Sequence, residues 1–268
     1  MFGRFFRRRE SPFDPAWRGV LADNVWQYRR LGDEQRDRVH AVVARFVARK
    51  QWVGAGGQEI TDEVRVTIAG VASLLTLGLD EPYDFPRLKS IIVYPTSYQT
   101  PAAKGDFTFL GGDDPITGGE TRLGEAWPRS PIVLSWRDAL RQARVRGRGR
   151  NLVLHEFAHH VDGLNGDTDG VPHFDSREQR ERWSEVAGAE FSTLVRRARR
   201  GAPTLLDTYG ASDLTEFFAV ATECFFERPH AMRREHPELY ALMRGVFHQD
   251  PTDYLPAEAA SARAGDDR

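Results

Sequence analysis

His155, Glu156 and His159 form an HExxH, a spacing that on a helix amounts to a statement of chemistry. Side chains four residues apart project from one helical face as neighbours, so both imidazoles can reach a single Zn2+ at about 2.0–2.1 Å. Glu156, about a third of a turn away, lies beside such a metal and can take a proton from the water it activates. With eight histidines in 268 residues, chance alone would produce this motif at about the one or two per cent level. Asn151 is a good N-cap, Leu152, Val153, Leu154, Phe157, Ala158 and Val161 supply apolar surface, and Gly163 followed by Asn165-Gly166-Asp167 ends the segment. The motif therefore falls on a short, largely buried helix, with His160 facing elsewhere. The alternative is a buried helix whose histidines have ordinary partners.

Two histidines do not complete a catalytic zinc site; a third protein ligand must leave one position open. The metzincin extension, a Gly and then a third His after HExxH, is absent, because Asp162 and Asn165 occupy those places. The third ligand must come from elsewhere in the chain, and a glutamate on a later helix is the usual solution. The segment from Tyr209 offers one, with Ser212 or Asp213 as N-cap, Asp213 and Glu216 spaced as a capping box, and Phe217, Phe218, Val220, Ala221, Phe225 and Phe226 burying the helix on more than one side. Glu216 and Glu223 lie two turns apart on one face, and carboxylates on so apolar a helix need partners. Glu216 is the expected third ligand and Glu223 the group that orients a ligand histidine. In the alternative, Glu216 only caps and Glu223 ligates. Asp162, one turn after His159, is a second candidate acceptor for an imidazole N–H, or else a solvated helix end. Tyr209 is a candidate donor to a developing oxyanion, or else a packed tyrosine.

A chain of 268 residues can bury a large core, and 40% hydrophobic with 28% charged residues is ordinary for a folded protein. The net charge of −2 gives no drive towards nucleic acid or an anionic membrane. A lone cysteine, Cys224, excludes an internal disulfide, fits a reducing compartment and reads as packed thiol. No apolar run is long enough to span a bilayer, and the Arg-rich start lacks the apolar core of a secretion signal. Residues 1–15 read as a flexible arm (alternatively a docking arm for a membrane surface or partner), residues 16–255 as one domain, and residues 256–268 as a disordered tail. The run Arg141, Arg144, Arg146, Arg148, Arg150 has no interleaved aromatics and reads as a solvated loop.

Periodicity predicts helices over about 34–51, from a Thr61 cap onward, over 137–143, from Ser176 to about Arg200 and over 213–227, then a proline break at Pro229 and two short helices. Residues 90–94 (SIIVY) and 131–136 (PIVLSW) read as strands, the stretch 96–120 as hairpins or irregular loop, and 107–110 as a short strand. PIVLSW is a candidate edge for an extended substrate, or equally an interior strand.

The segments HEFAHHVDGLNGD and YGASDLTEFFAVATECFF, with IIVYP, PIVLSW and FHQDP, resemble the Mlc titration factor A family of bacterial zinc-dependent peptidases over most of the chain. The second segment also resembles, more distantly, the catalytic domain of anthrax lethal factor. The resemblance implies an α+β, mainly helical, zincin-like metallopeptidase fold with a small β-sheet. It further implies a gluzincin-type site: His155, His159 and Glu216 as metal ligands, Glu156 as base, Tyr209 assisting. For that family it implies a cytoplasmic protein, aminopeptidase-like activity and, in enterobacteria, capture of a DNA-binding repressor. The expected function is thus a zinc-dependent peptidase with one Zn2+ per chain and a peptide substrate, without direct nucleic-acid binding. Two rivals stand beside it: a regulator that binds a transcriptional repressor with little or no peptidase activity, and a hydrolase of non-peptide amides.

Overall fold

The computed structural model describes residues 12–96, 131–147 and 149–257. The described chain is mainly helical with a small three-stranded sheet. Helices α1 (Trp17–Asn24) and α2 (Asp33–Arg49) lead into strand β1 (Gln51–Gly54), and α3 (Asp62–Leu74) crosses over to β2 (Ser90–Tyr94). Strand β3 (Ile132–Ser135) runs directly into α4 (Trp136–Arg144), and α5 (Leu152–Asp162), α6 (Arg177–Arg199), α7 (Leu214–Glu227), α8 (Pro229–Glu235) and α9 (Pro237–Phe247) follow.

Local chemistry explains most boundaries. Thr61 accepts from Val64 N to cap α3, whose first turn carries Asp62 and Glu63 where the helix dipole favours negative charge. From Val66 to Leu74 every residue of α3 is buried, so this helix is a core element on all sides. Ser135 caps α4 through Asp138 N, which ends β3 one residue before the expected Trp136. Ser176 and Asp213 cap α6 and α7 in the same way. Pro229 stands at the start of α8, where its missing N–H costs nothing.

The sheet has order β1-β2-β3 and is parallel throughout, with Gln51 opposite Ser90 and Ile92 opposite Val133. A parallel pair needs a crossover, and α3 supplies it between β1 and β2. Among the described residues β3 pairs with β2 alone, so it ends the sheet on the side where α5 packs. Helix α5 is held between this sheet and α7. Phe157 on its rear face meets Phe46 at 5.6 Å and Phe85 at 4.9 Å between ring centroids. Behind α7, Phe218, Phe225 and Phe226 pack on Phe247 of α9. Cys224 is buried in the same layer.

Several expectations change. Helix α2 stops at Arg49, short of the expected 51, and Gln51–Gly54 form β1. The expected arm over 1–15 does not extend through its last residues, because Phe13 stacks on His40 at 4.1 Å and joins the core. The stretch around 107–110, most of the expected loop, Arg148 and the last residues of the tail lie outside the described residues. The described arginines of the basic run are exposed, as expected, but Arg141 and Arg144 lie on α4 and not in a loop, and each has a partner: Arg141 pairs with Asp138, Arg144 with Asn24 and Glu63, Arg150 with Asp207, and Arg146 donates to the carbonyls of Pro256 and Ala257. No described helix is long and apolar enough to cross a membrane.

Candidate metal centre

Helices α5 and α7 bring three donors together. One ligand atom each from His155, His159 and Glu216 lies within 4.8 Å of the others, and among the described residues no other such group occurs. Glu216 Oε2 stands 3.0 Å from His155 Nε2 and 3.6 Å from His159 Nε2. A tetrahedral zinc bonded at about 2.0–2.1 Å separates its ligand atoms by about 3.3 Å, so these spacings fit one. The imidazoles face each other nearly edge-on, at an interplanar angle of 83°. The sequence could not tell ligand from cap at Glu216. Asp213 does accept from Glu216 N, but the Glu216 carboxylate points to the histidines instead of returning to the cap.

Behind His155 stands Glu223, whose Oε1 is 2.7 Å from Nδ1. Its Oε2 accepts from the backbone N–H of Asn151, at the start of α5. His155 thus has carboxylates on both ring nitrogens, and a neutral imidazole carries one N–H and cannot donate to both. The pocket therefore favours positive charge. Burial opposes it, yet the hydrogen bonds that His155 donates to Glu216 and Glu223 draw its pKa well above the usual value. Burial likewise works to raise Glu216, and the two histidines outweigh it and hold that carboxylate well below the ordinary range. A donor set that recruits a cation in this way suits a divalent metal.

Glu156 is not one of the three donors. Burial raises its pKa, partly offset by the two histidines, which makes it a stronger base than a free glutamate. Tyr209 lies with its ring 6.0 Å from that of His155 and its hydroxyl on the Glu216 carboxylate; burial, then the Glu216 and Asp213 charges, keep the phenol protonated. The turn carrying Tyr209 is fixed by Asp207, which accepts from Tyr209 N at 2.9 Å and pairs with Arg150.

A model of the glucose-regulated metallo-peptidase M90 family matches residues 4–248. The chain belongs to that family. A protein of Synechocystis sp., uncharacterized protein slr2042, is 33% identical over 244 residues, covering 90% of this chain and 86% of its own. Mlc titration factor A of Escherichia coli O7:K1 is 29% identical over 231 residues (84% and 83%), and that of Klebsiella pneumoniae 28% over 241 residues (88% and 86%). The resemblance to the Mlc titration factor A family is therefore borne out. A metallopeptidase family implies a metal, and among the described residues of this M90 chain the His155–His159–Glu216 cluster is the one group that could hold it.

Asp162 does not reach a histidine. Its Oδ2 accepts from Gly170 N at 2.9 Å, and the residue is wholly buried rather than a solvated helix end. It closes the loop after α5 onto the start of α7. Gly170, at φ +77, also receives the Trp183 indole N–H on its carbonyl. A Cβ there would lie 2.3 Å from Leu214 O. Gly170→Ala is expected to destabilise the M90 chain by about 2–3 kcal/mol, read as a lower Tm, because left-handed backbone and contact with the first turn of α7 act together.

His160 turns away from the cluster, as expected, onto Phe85 at 5.8 Å, and burial with Lys50 and Arg87 nearby brings its pKa down to about 4. The folded chain keeps this ring neutral while the unfolded chain protonates it between pH 6.5 and about 4. Stability therefore falls as pH drops through that window, by on the order of 1–3 kcal/mol. Denaturation midpoints of His160→Leu should be flatter than wild type over the same range.

Of the buried acids on α7, one escaped the sequence reading. Glu227, four residues beyond Glu223 on the same face of α7, is 1% exposed and accepts from Trp26, Gln27 and Asn151. Its signal was the spacing of 216, 223 and 227, one acidic stripe on an apolar helix.

Proposed function

We propose that the chain is a zinc-dependent peptidase of zincin-like fold, aminopeptidase-like in specificity and cytoplasmic, with His155, His159 and Glu216 holding one Zn2+. The convergence of these three donors on one point, with Glu156 on the same helix beside them, carries the reading. When bound, zinc supplies Lewis acidity, lowering the pKa of water towards about 7 and polarising a peptide carbonyl. Glu156 accepts a proton from the attacking water and delivers it to the departing amine, a task its raised pKa suits. Tyr209 remains a phenol and donates to the oxygen that becomes negative in the transition state. Glu223 fixes the orientation of His155 through Nδ1. The outer edge of β3 receives the substrate backbone as an added strand, being the terminal strand of the described sheet.

Metal analysis, paired with a panel of aminoacyl and peptide substrates, tests this. The purified chain is expected to carry one zinc and to lose hydrolysis on chelation, recovering it on zinc addition. Hydrolysis indifferent to chelators, or a chain that takes up no zinc, would remove the reading.

The name Mlc titration factor A borne by the Escherichia and Klebsiella relatives favours a second reading, a regulator that captures a DNA-binding repressor. Repressor capture undiminished in Glu156→Gln, with no hydrolysis by the wild-type chain, would select it.

A further inference from the structure

The proposed reaction leaves the Glu227 carboxylate unused, although it is buried at the end of α7 and heavily satisfied. Trp26 Nε1 donates to it at 3.2 Å, Gln27 Nε2 at 2.9 Å and Asn151 Nδ2 at 3.0 Å. Three donors from two distant parts of the chain are an expensive arrangement for a helix end whose burial pushes the carboxyl up to about 8.

Asn151 explains what the arrangement holds. Its Oδ1 caps α5 through Leu154 N, its backbone N–H donates to Glu223 Oε2, and its Nδ2 donates to Glu227 Oε1. The other oxygen of Glu223 meets His155 Nδ1. Glu227, Asn151, Glu223 and His155 therefore form one unbroken line of buried hydrogen bonds, with exposures of 1%, 0%, 5% and 6%. Neither Asn151 nor Glu223 has a solvent-side substitute for the partner it would lose. Without Glu227 the Asn151 amide would be a buried donor with Nδ2 unpaired, free to turn and to take its cap and backbone N–H out of line.

We propose that Glu227 is a positioning residue for the metal centre: by locking the Asn151 amide it fixes the Glu223 carboxylate, and through it the ring orientation of His155. The line continues to Trp26 and Gln27, which ties the segment after α1 to the centre. This inference rests on the reading of His155 as a metal ligand.

Zinc affinity by competition with a chromophoric chelator, and the visible spectrum of the Co2+-loaded chain, test it. Removing a partner that touches a metal ligand directly costs about 10–100-fold in affinity, so Glu227→Ala, two links further out through Asn151, is expected to lose about 3–10-fold and to alter the Co2+ bands. Asn151→Ser keeps a capping oxygen and the backbone N–H but lacks Nδ2, so it should reproduce both changes. The double variant should lose little more than either single one, because both cut the same link. Tyr240→Phe, which removes a bond to Asp250 from α9, serves as the stability control: a lower Tm with wild-type zinc affinity is expected. Wild-type affinity and spectrum in both Glu227→Ala and Asn151→Ser, or fully additive losses, would overturn the proposal. Should Glu227→Ala fail to fold, Asn151→Ser decides by the same two readings. A wild-type chain that binds neither ion would instead remove the metal reading, and this inference with it.

Discussion

Glu156→Gln is expected to leave zinc bound at wild-type stoichiometry while lowering turnover by roughly 10²–10⁴-fold, the usual share of a general base. The two effects separate because of where Glu156 stands. It shares α5 with both histidines, yet it is not among the three atoms that converge on one point. Glutamine conserves its volume and removes its capacity to accept a proton, so the donor set stays intact while the proton acceptor vanishes. Burial already raises the pKa of this carboxyl, so the neutral amide also relieves a desolvation cost, and the variant should be no less stable than wild type. Metal content by atomic absorption and kcat on the best substrate of the panel are the two readings. Activity within a few-fold of wild type would move the proton acceptor to another group. Loss of metal along with activity would make Glu156 part of the binding set.

The helices that frame the centre were readable because their caps and apolar faces are local properties. Asn151, Ser176 and Asp213 all accept from the backbone three residues on, where the sequence placed them. Strand β1 was not readable: Gln51–Gly54 is short and exposed, and it is a strand only because β2 lies beside it. The parallel order is equally non-local, being set by the crossover through α3. At the site, HExxH fixed which histidines share a face, and the seven-residue spacing put Glu216 and Glu223 on one stripe. Which carboxylate meets Nε2 and which meets Nδ1 depends on how α7 is rotated and shifted along α5, and no single helix encodes that. Asp162 illustrates the same limit, since one turn from His159 was compatible with a histidine partner, and the loop back to Gly170 took the carboxylate instead.

Exchanging each of the two carboxylates for alanine is expected to produce opposite rankings in metal affinity and in metal-free stability. Glu216 Oε2 lies against Nε2 of both histidines, so Glu216→Ala removes the proposed third ligand and should weaken zinc binding by more than about 100-fold, beyond the range for an outer partner, and abolish detectable turnover. Glu223 touches Nδ1 of His155, and Glu223→Ala should cost only about 10–100-fold in affinity. Stability runs the other way. The Glu223 side chain is 7% exposed against 19% for Glu216, and its loss leaves the Asn151 N–H buried without an acceptor, a penalty of about 1–3 kcal/mol. Glu216→Ala gives up the pairing with the two histidines at the more exposed of the two carboxylates, but it leaves no buried backbone donor unpaired, because the Asp213 cap uses the backbone N–H of residue 216. Chelator competition ranks the affinities, and thermal melts of the chelated proteins rank the stabilities. If Glu223→Ala proves the more damaging to zinc binding, the two roles must be exchanged, with Glu223 the ligand and Glu216 its support. If neither variant changes zinc affinity, the metal does not sit between α5 and α7.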